Sequence, residues 1–131
     1  MRITNCKDPE MVSYLAPWFV PVEKSIVDIC IELKDRLENK PEDTLCLVFS
    51  EEDICNAVVV AYNTDDCVWI WQARAKSGFK HSDTGFELIK KWAMLVGAKE
   101  IRAKSTKRLA KFFQKKYHFN LSDGELKYEL R

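Results

Sequence analysis

Between Cys67 and Ser105 the hydrophobic period changes twice, and this stretch limits the possible folds more than any other. Cys67–Ala75 alternates, Trp69 and Trp71 against Val68, Ile70 and Gln72, which predicts a strand with something packed on each face. Lys76-Ser77-Gly78-Phe79-Lys80-His81-Ser82 is a polar, basic loop. Ser82 or Asp83 then caps a helix that runs to about Val96, with Phe86, Ile89, Trp92, Ala93 and Val96 on its apolar face. Gly97 supplies the left-handed residue that ends helices, and Ile101–Ser105 follows closely as another strand. Strand, helix and strand joined so tightly form a βαβ crossover, which sets 67–75 and 101–105 parallel in one sheet.

The flanks are read in the same way. Asp8-Pro9-Glu10 starts a helix with a capping carboxylate and a proline at the first helical position. Met11, Val12 and Leu15 give it a short stripe, and it should stop before Pro17. Pro17-Trp18-Phe19-Val20-Pro21 is an apolar connector. A second helix, from about Glu23 to Glu38, should bury Ile26, Val27, Cys30, Leu33 and Leu37. Leu45–Ser50 and Cys55–Tyr62 join strand 67–75 through short polar turns, an antiparallel meander whose centre, Val58-Val59-Val60, should be covered on both faces. After the crossover, Thr106 caps a last helix with Leu109, Phe112, Phe113 and Tyr117 inward. Phe119–Leu121 and Leu126–Leu130 close the chain as a hairpin, and Arg2–Asn5 is a weak extra strand.

Composition excludes whole classes. The 131 residues suit one domain, 1–131. With 47% hydrophobic and 31% charged residues and only four Gly and four Pro, the chain is neither disordered nor low-complexity. The longest apolar run, around Ala57–Tyr62, falls far below the ~20 residues of a membrane span. No apolar segment resembling a signal peptide opens the chain, so a soluble, cytoplasmic protein without a membrane partner is expected. The five cysteines lack metal-ligand spacing and read as reduced core thiols, with Cys67 the one candidate nucleophile; no metal is expected. Charge is asymmetric: residues 1–65 carry a net −7 and residues 66–131 a net +8, which points to an anionic partner at the second half.

The order α-α-β-β-β-α-β-α-β-β, with one parallel crossover in a mostly antiparallel sheet and four flanking helices, resembles the GNAT (Gcn5-related N-acetyltransferase) fold of the α+β class. Gly85-Phe86-Glu87-Leu88-Ile89-Lys90-Lys91-Trp92-Ala93 is similar to the family's "G-x-x-L-L-x-x-x-x-x-A" helix. Val96-Gly97-Ala98-Lys99-Glu100-Ile101 is similar to its turn into the next strand, and Leu109 to Phe119 to its "A-x-x-F-Y-x-K-x-G-F". The ending Lys116-Tyr117-His118-Phe119 resembles small GNAT-like proteins of bacteriophages.

The resemblance implies acetyl-CoA as co-substrate, held in a V-shaped gap between the two parallel strands. It assigns the pantetheine to the backbone of Gln72, Ala73 and Arg74. It assigns the pyrophosphate to the loop and helix start, with Lys76, Gly78, Lys80, His81 and Ser82 as the candidate residues. Helix N-termini favour anions through their orphan N–H groups and dipole. The family's loop reads R/Q-x-x-G-x-G/A; here the two glycines stand seven apart, and Asp83 sets a negative charge beside the expected phosphate. Its usual acid, a tyrosine, falls on Gln114, and its usual glycine on His118, so no catalytic residue is assigned. Trp69 and Trp71 either pack in the core or line the acceptor side, together with Trp18 and Phe19 from the connector.

The functional expectation is acyl transfer from acetyl-CoA to an amine on a small molecule or protein. The alternative is a catalytically inactive GNAT-fold binding or phage structural protein. Nucleic-acid binding through Lys107, Arg108, Lys111, Lys115 and Lys116 is disfavoured, because no stacking aromatics interleave with these charges. A homodimer stays open.

Overall fold

The computed structural model describes residues 1–21, 23–104 and 107–130, with side chains not described at 107–109. Its seven strands are β1 (Arg2–Asn5), β2 (Thr44–Glu51), β3 (Ile54–Asn63), β4 (Cys67–Ala75), β5 (Glu100–Lys104), β6 (Asn120–Ser122) and β7 (Glu125–Glu129). They form one sheet in the order β1-β2-β3-β4-β5-β7-β6. β4 and β5 are parallel, from Cys67 opposite Glu100 to Ile70 opposite Ala103, and the other neighbours are antiparallel. The helices are α1 (Val12–Leu15), α2 (Ile26–Asn39), α3 (Ser82–Leu95) and α4 (Lys107–Tyr117).

The sheet separates two apolar layers. Val12, Leu15, Phe19, Ile29, Leu33 and Leu37 cover one face, meeting Cys46, Val58 and Val60. On the other face α3 and α4 bring Phe86, Ile89, Ala93 and Tyr117 onto Leu47, Val68, Ile101 and Leu126. β3 therefore buries alternate residues in opposite directions, Ala57 and Ala61 into one layer and Val58 and Val60 into the other, as its continuous apolar run predicts.

The ends of the elements follow local chemistry. Asp8 accepts a hydrogen bond from the Glu10 N–H at 3.0 Å. Ser25 caps α2 by accepting from the Asp28 N–H at 3.1 Å. Gly97, at φ 80°, ends α3: its N–H donates to Met94 and that of Ala98 to Ala93, the two bonds of a Schellman motif.

α1 ends at Leu15, before Pro17 as expected, and a separate 3₁₀ turn (Ala16–Trp18) takes the proline in its first turn, where no N–H is required. Three expectations are corrected. α2 begins at Ile26, and its buried stripe is Ile29, Leu33 and Leu37; Cys30 is half-buried, Ile26 is exposed and Val27 is 66% exposed, because the short α1 layer covers only a narrow face. On α4 the inward residues are Ala110, Phe113 and Tyr117, while Phe112 rolls out to 42% exposure. Trp92 is half-buried at the edge of its layer. The Thr106 cap and the Leu109 side chain lie outside the described residues.

Candidate functional site: a split strand with a cavity on each face

The site begins with a bulge. Val60 pairs with Gln72 but Ala61 pairs with Ile70, so Trp71 is an extra residue in β4. The ladder to β5 ends at Ile70, and Trp71–Ala75 continues without it. The two parallel strands therefore part, and a cavity lies on either side of the freed segment. One, of about 350 Å³, opens between β4, the start of α3 and α4. The other, of about 380 Å³, opens between β4, the connector and α2. Ile70, Ala73 and Phe113 line both, so the cavities meet where the strands separate.

Of the cofactor candidates, Ala73, Arg74, Lys76, Gly78 and Ser82 line the first cavity, whereas Gln72, Lys80 and His81 do not. The bulge turns Gln72 onto the same face as Trp71. There its side chain accepts from the Val20 N–H at 2.7 Å and donates to the Val20 carbonyl at 3.3 Å. Only 6% exposed, Gln72 pins the connector to β4 rather than opening a donor groove. Arg74 also reaches the connector, donating to the Pro17 carbonyl at 3.2 Å. Lys80 is exposed, and His81 lies 3.8 Å from the Glu51 carboxylate.

Sequence reasoning missed the contribution of α4 to this cavity. Phe112, Phe113, Lys116 and Tyr117 line it opposite the α3 N-terminus. Tyr117 donates from its hydroxyl to Asp83 Oδ1 at 2.9 Å, and Lys116 Nζ stands 3.4 Å from the same oxygen and 3.2 Å from Ser82 Oγ. The Tyr117 hydrogen bond first, and Lys116 second, hold the Asp83 carboxyl below its usual range. Burial pushes the Tyr117 phenol up. The signal available in the sequence was Lys115-Lys116-Tyr117 at the end of α4.

Trp69 and Trp71 line the second cavity, and Trp71 also packs against the connector-side core. Trp18 and Phe19 do not reach it: Phe19 is 1% exposed in the core and Trp18 packs against that core. The connector instead contributes Val20, and the residues that lead from it into α2 contribute Glu23 and Lys24. Tyr62 meets Trp71 edge to face at 6.1 Å and carries Arg36 over its ring at 4.1 Å. Glu23 Oε1 pairs with Lys104 Nζ at 3.2 Å, and Lys24 pairs with Glu32.

No family model matches the chain, and neither does any curated protein compared by sequence. Solved structures do match. A GNAT-family protein of Desulfovibrio desulfuricans superposes with a TM-score of 0.75 at 13% identity, over 99% of each chain. A predicted acetyltransferase of Clostridium acetobutylicum, solved with acetyl-CoA, gives 0.74 at 14% identity over 93% of this chain and 91% of that one. The PaiA N-acetyltransferase of Thermoplasma acidophilum, in complex with coenzyme A, gives 0.65 at 15% identity over 97% of both. The fold is that of the GNAT acyltransferases.

Against the GNAT motif, Gln114 is exposed and lines neither cavity, so this chain presents no hydroxyl at the motif's tyrosine position. His118 adopts φ 62°, the left-handed conformation for which the motif carries glycine. Gly85 matches the motif for a packing reason: a Cβ there would lie 3.0 Å from the Phe49 ring. Cys67 is buried, with its sulfur 3.3 Å from the Thr64 hydroxyl. Among the described residues, no group of three or more His, Cys, Asp or Glu could hold a metal, and no helix is long and apolar enough to cross a membrane.

Proposed function

We propose that the protein is an N-acyltransferase that moves an acyl group from an acyl-CoA such as acetyl-CoA to an amine. The observation that carries this reading is the pair of cavities on opposite faces of the freed β4 segment, meeting at Ile70, Ala73 and Phe113. A thioester reaching the junction from the α3 side and an amine reaching it from the connector side can react directly. The amine nitrogen bonds to the acyl carbon, the C–S bond breaks, and the thiolate leaves. Holding both reactants at one point supplies the proximity term of the rate.

The residues of the first cavity suit an anionic donor. The first-turn N–H groups of α3 lack intrahelical partners, and Arg74, Lys76 and Lys116 bring positive charge. Asp83 opposes it, holding Lys116 and Tyr117 in place of a phosphate. The donor therefore has to displace this carboxylate from its two partners.

Calorimetry with CoA and acetyl-CoA tests the reading. Asp83→Asn is expected to tighten CoA binding. Lys116→Glu is expected to weaken it tenfold or more, since reversing a charge near a phosphate is worth at least ~1.4 kcal/mol. Lys80→Glu should have the smaller effect, because Lys80 lies outside the lining. A wild-type chain that binds no CoA at millimolar concentration would instead favour the non-catalytic reading, to which Gln114 and the engaged Asp83 already lend support.

A further inference from the structure

The acceptor-side cavity carries charge in an unusual balance. Its lining contains two carboxylates, Glu23 and Glu32, and two ammonium groups, Lys24 and Lys104; Glu23 pairs with Lys104, and Glu32 pairs with Lys24 and, from outside the lining, with Arg36 Nε at 3.9 Å. The Glu23–Lys104 pair spans the gap, joining the residues that lead into α2 to the end of β5. Beneath these pairs lie apolar and aromatic surfaces: Val20, Ile29, Tyr62, Trp69 and Trp71.

This balance discriminates between kinds of amine. A polyamine or a lysine side chain brings positive charge alone. To reach Glu23 or Glu32 it must free Lys104 or Lys24 beside itself, and like charges at close range repel. A zwitterion brings both signs. Its ammonium replaces a lysine on one carboxylate while its carboxylate takes that lysine, so no charge is left unpaired. The volume, about 380 Å³, sits at the small end of ligand pockets, and a chain-spanning ion pair at the rim obstructs a polypeptide. The indole faces would pack an apolar side chain and attract the ammonium.

Resting on the acyl-transfer reading, we propose that the acceptor is a free, amino-acid-like zwitterion with an apolar side chain, its carboxylate held by Lys104 after displacing Glu23. In the reaction the ammonium loses a proton to water and its nitrogen takes the acyl group. A second proton leaves as the amide forms, and the CoA thiolate departs and is protonated from solvent, for a net release of one proton.

The test compares L-phenylalanine, its methyl ester, spermidine and a lysine-containing peptide as acceptors from acetyl-CoA. Thiol release measures transfer, and quenching of tryptophan fluorescence, with and without CoA, measures binding. Phenylalanine is expected to exceed its ester at least tenfold in kcat/KM. Lys104→Gln should raise KM for the acid about tenfold and leave the ester within about threefold, closing most of that gap. An ester, spermidine or peptide used as well as phenylalanine overturns the proposal while leaving acyl transfer standing. If no amine is acylated but phenylalanine binds at least tenfold more tightly than its ester, the zwitterion site stands and acyl transfer falls. If neither binding nor transfer is seen, both fall.

Discussion

Asp83 serves two opposed ends. Its carboxylate completes a local network with Tyr117 and Lys116, and the same carboxylate occupies partners that a phosphate would want. Because the folded state lowers its pKa, the network's contribution to stability is present above the ordinary carboxylate pKa of about 3.9 and is lost as pH falls through the lowered folded value. Denaturant melts of wild type and Asp83→Asn should therefore differ at pH 7, wild type being the more stable, and converge near pH 2. His118 offers a simpler case. It is exposed and left-handed, so His118→Gly should remove local strain and stabilise the fold by about 0.5–1 kcal/mol, read as a higher Tm. Asp83, Gln114 and His118 were all visible in the sequence as departures from a motif. The bonds of Asp83 were not, since Tyr117 lies 34 positions away and meets it only because α4 packs beside the start of α3.

Among the elements, β4 shows where pattern reading stops. Its alternation correctly put Trp69 and Trp71 on one face, but alternation assumes a regular strand. One inserted residue, Trp71, moves Gln72 across the sheet and changes it from a candidate groove residue to the clasp of the connector. Amphipathic helices mislead differently: α2 and α4 have more apolar residues than their neighbours cover, so the period shows that a stripe exists without fixing its width. α3 permits a graded test. Phe86 packs its ring on Tyr117 at 4.5 Å and Tyr128 at 5.2 Å and is buried, whereas Trp92 is half-buried. Phe86→Ala is expected to cost about 3–5 kcal/mol in urea unfolding and Trp92→Ala about 1–3 kcal/mol, reversing the order that side-chain size alone would give.

Across the whole molecule, the meander and the parallel crossover were legible because handedness and short connections leave few alternatives, whereas the places of β1 beside β2 and of β7 beside β5 were not read from the sequence. The gap between the parallel strands was implied only by the resemblance, and the cavity on each face of β4 was not read at all, since it arises from strands that part, a property of no single segment. Charge, by contrast, was legible and has a position in space: the acidic half forms β1–β3 with α1 and α2, and the basic half forms β4–β7 with α3 and α4. The cavity between β4, the start of α3 and α4 takes Arg74, Lys76 and Lys116 from the basic half. Donor affinity should then fall as ionic strength rises from 0.05 to 0.5 M, as calorimetry would register, because exposed charges are screened over roughly 10 Å at 0.1 M.

The boundary between those halves is the turn after Asn63, and what crosses it is the antiparallel ladder from Ala57–Ala75 to Asn63–Val68. A chain cut in that turn would yield two fragments of opposite net charge, each ending in one side of the same ladder. Mutual attraction would bring them together, and the register of a bulged strand would decide how they dock. Both cavities draw residues from each side of that turn, so neither fragment alone would carry a complete lining.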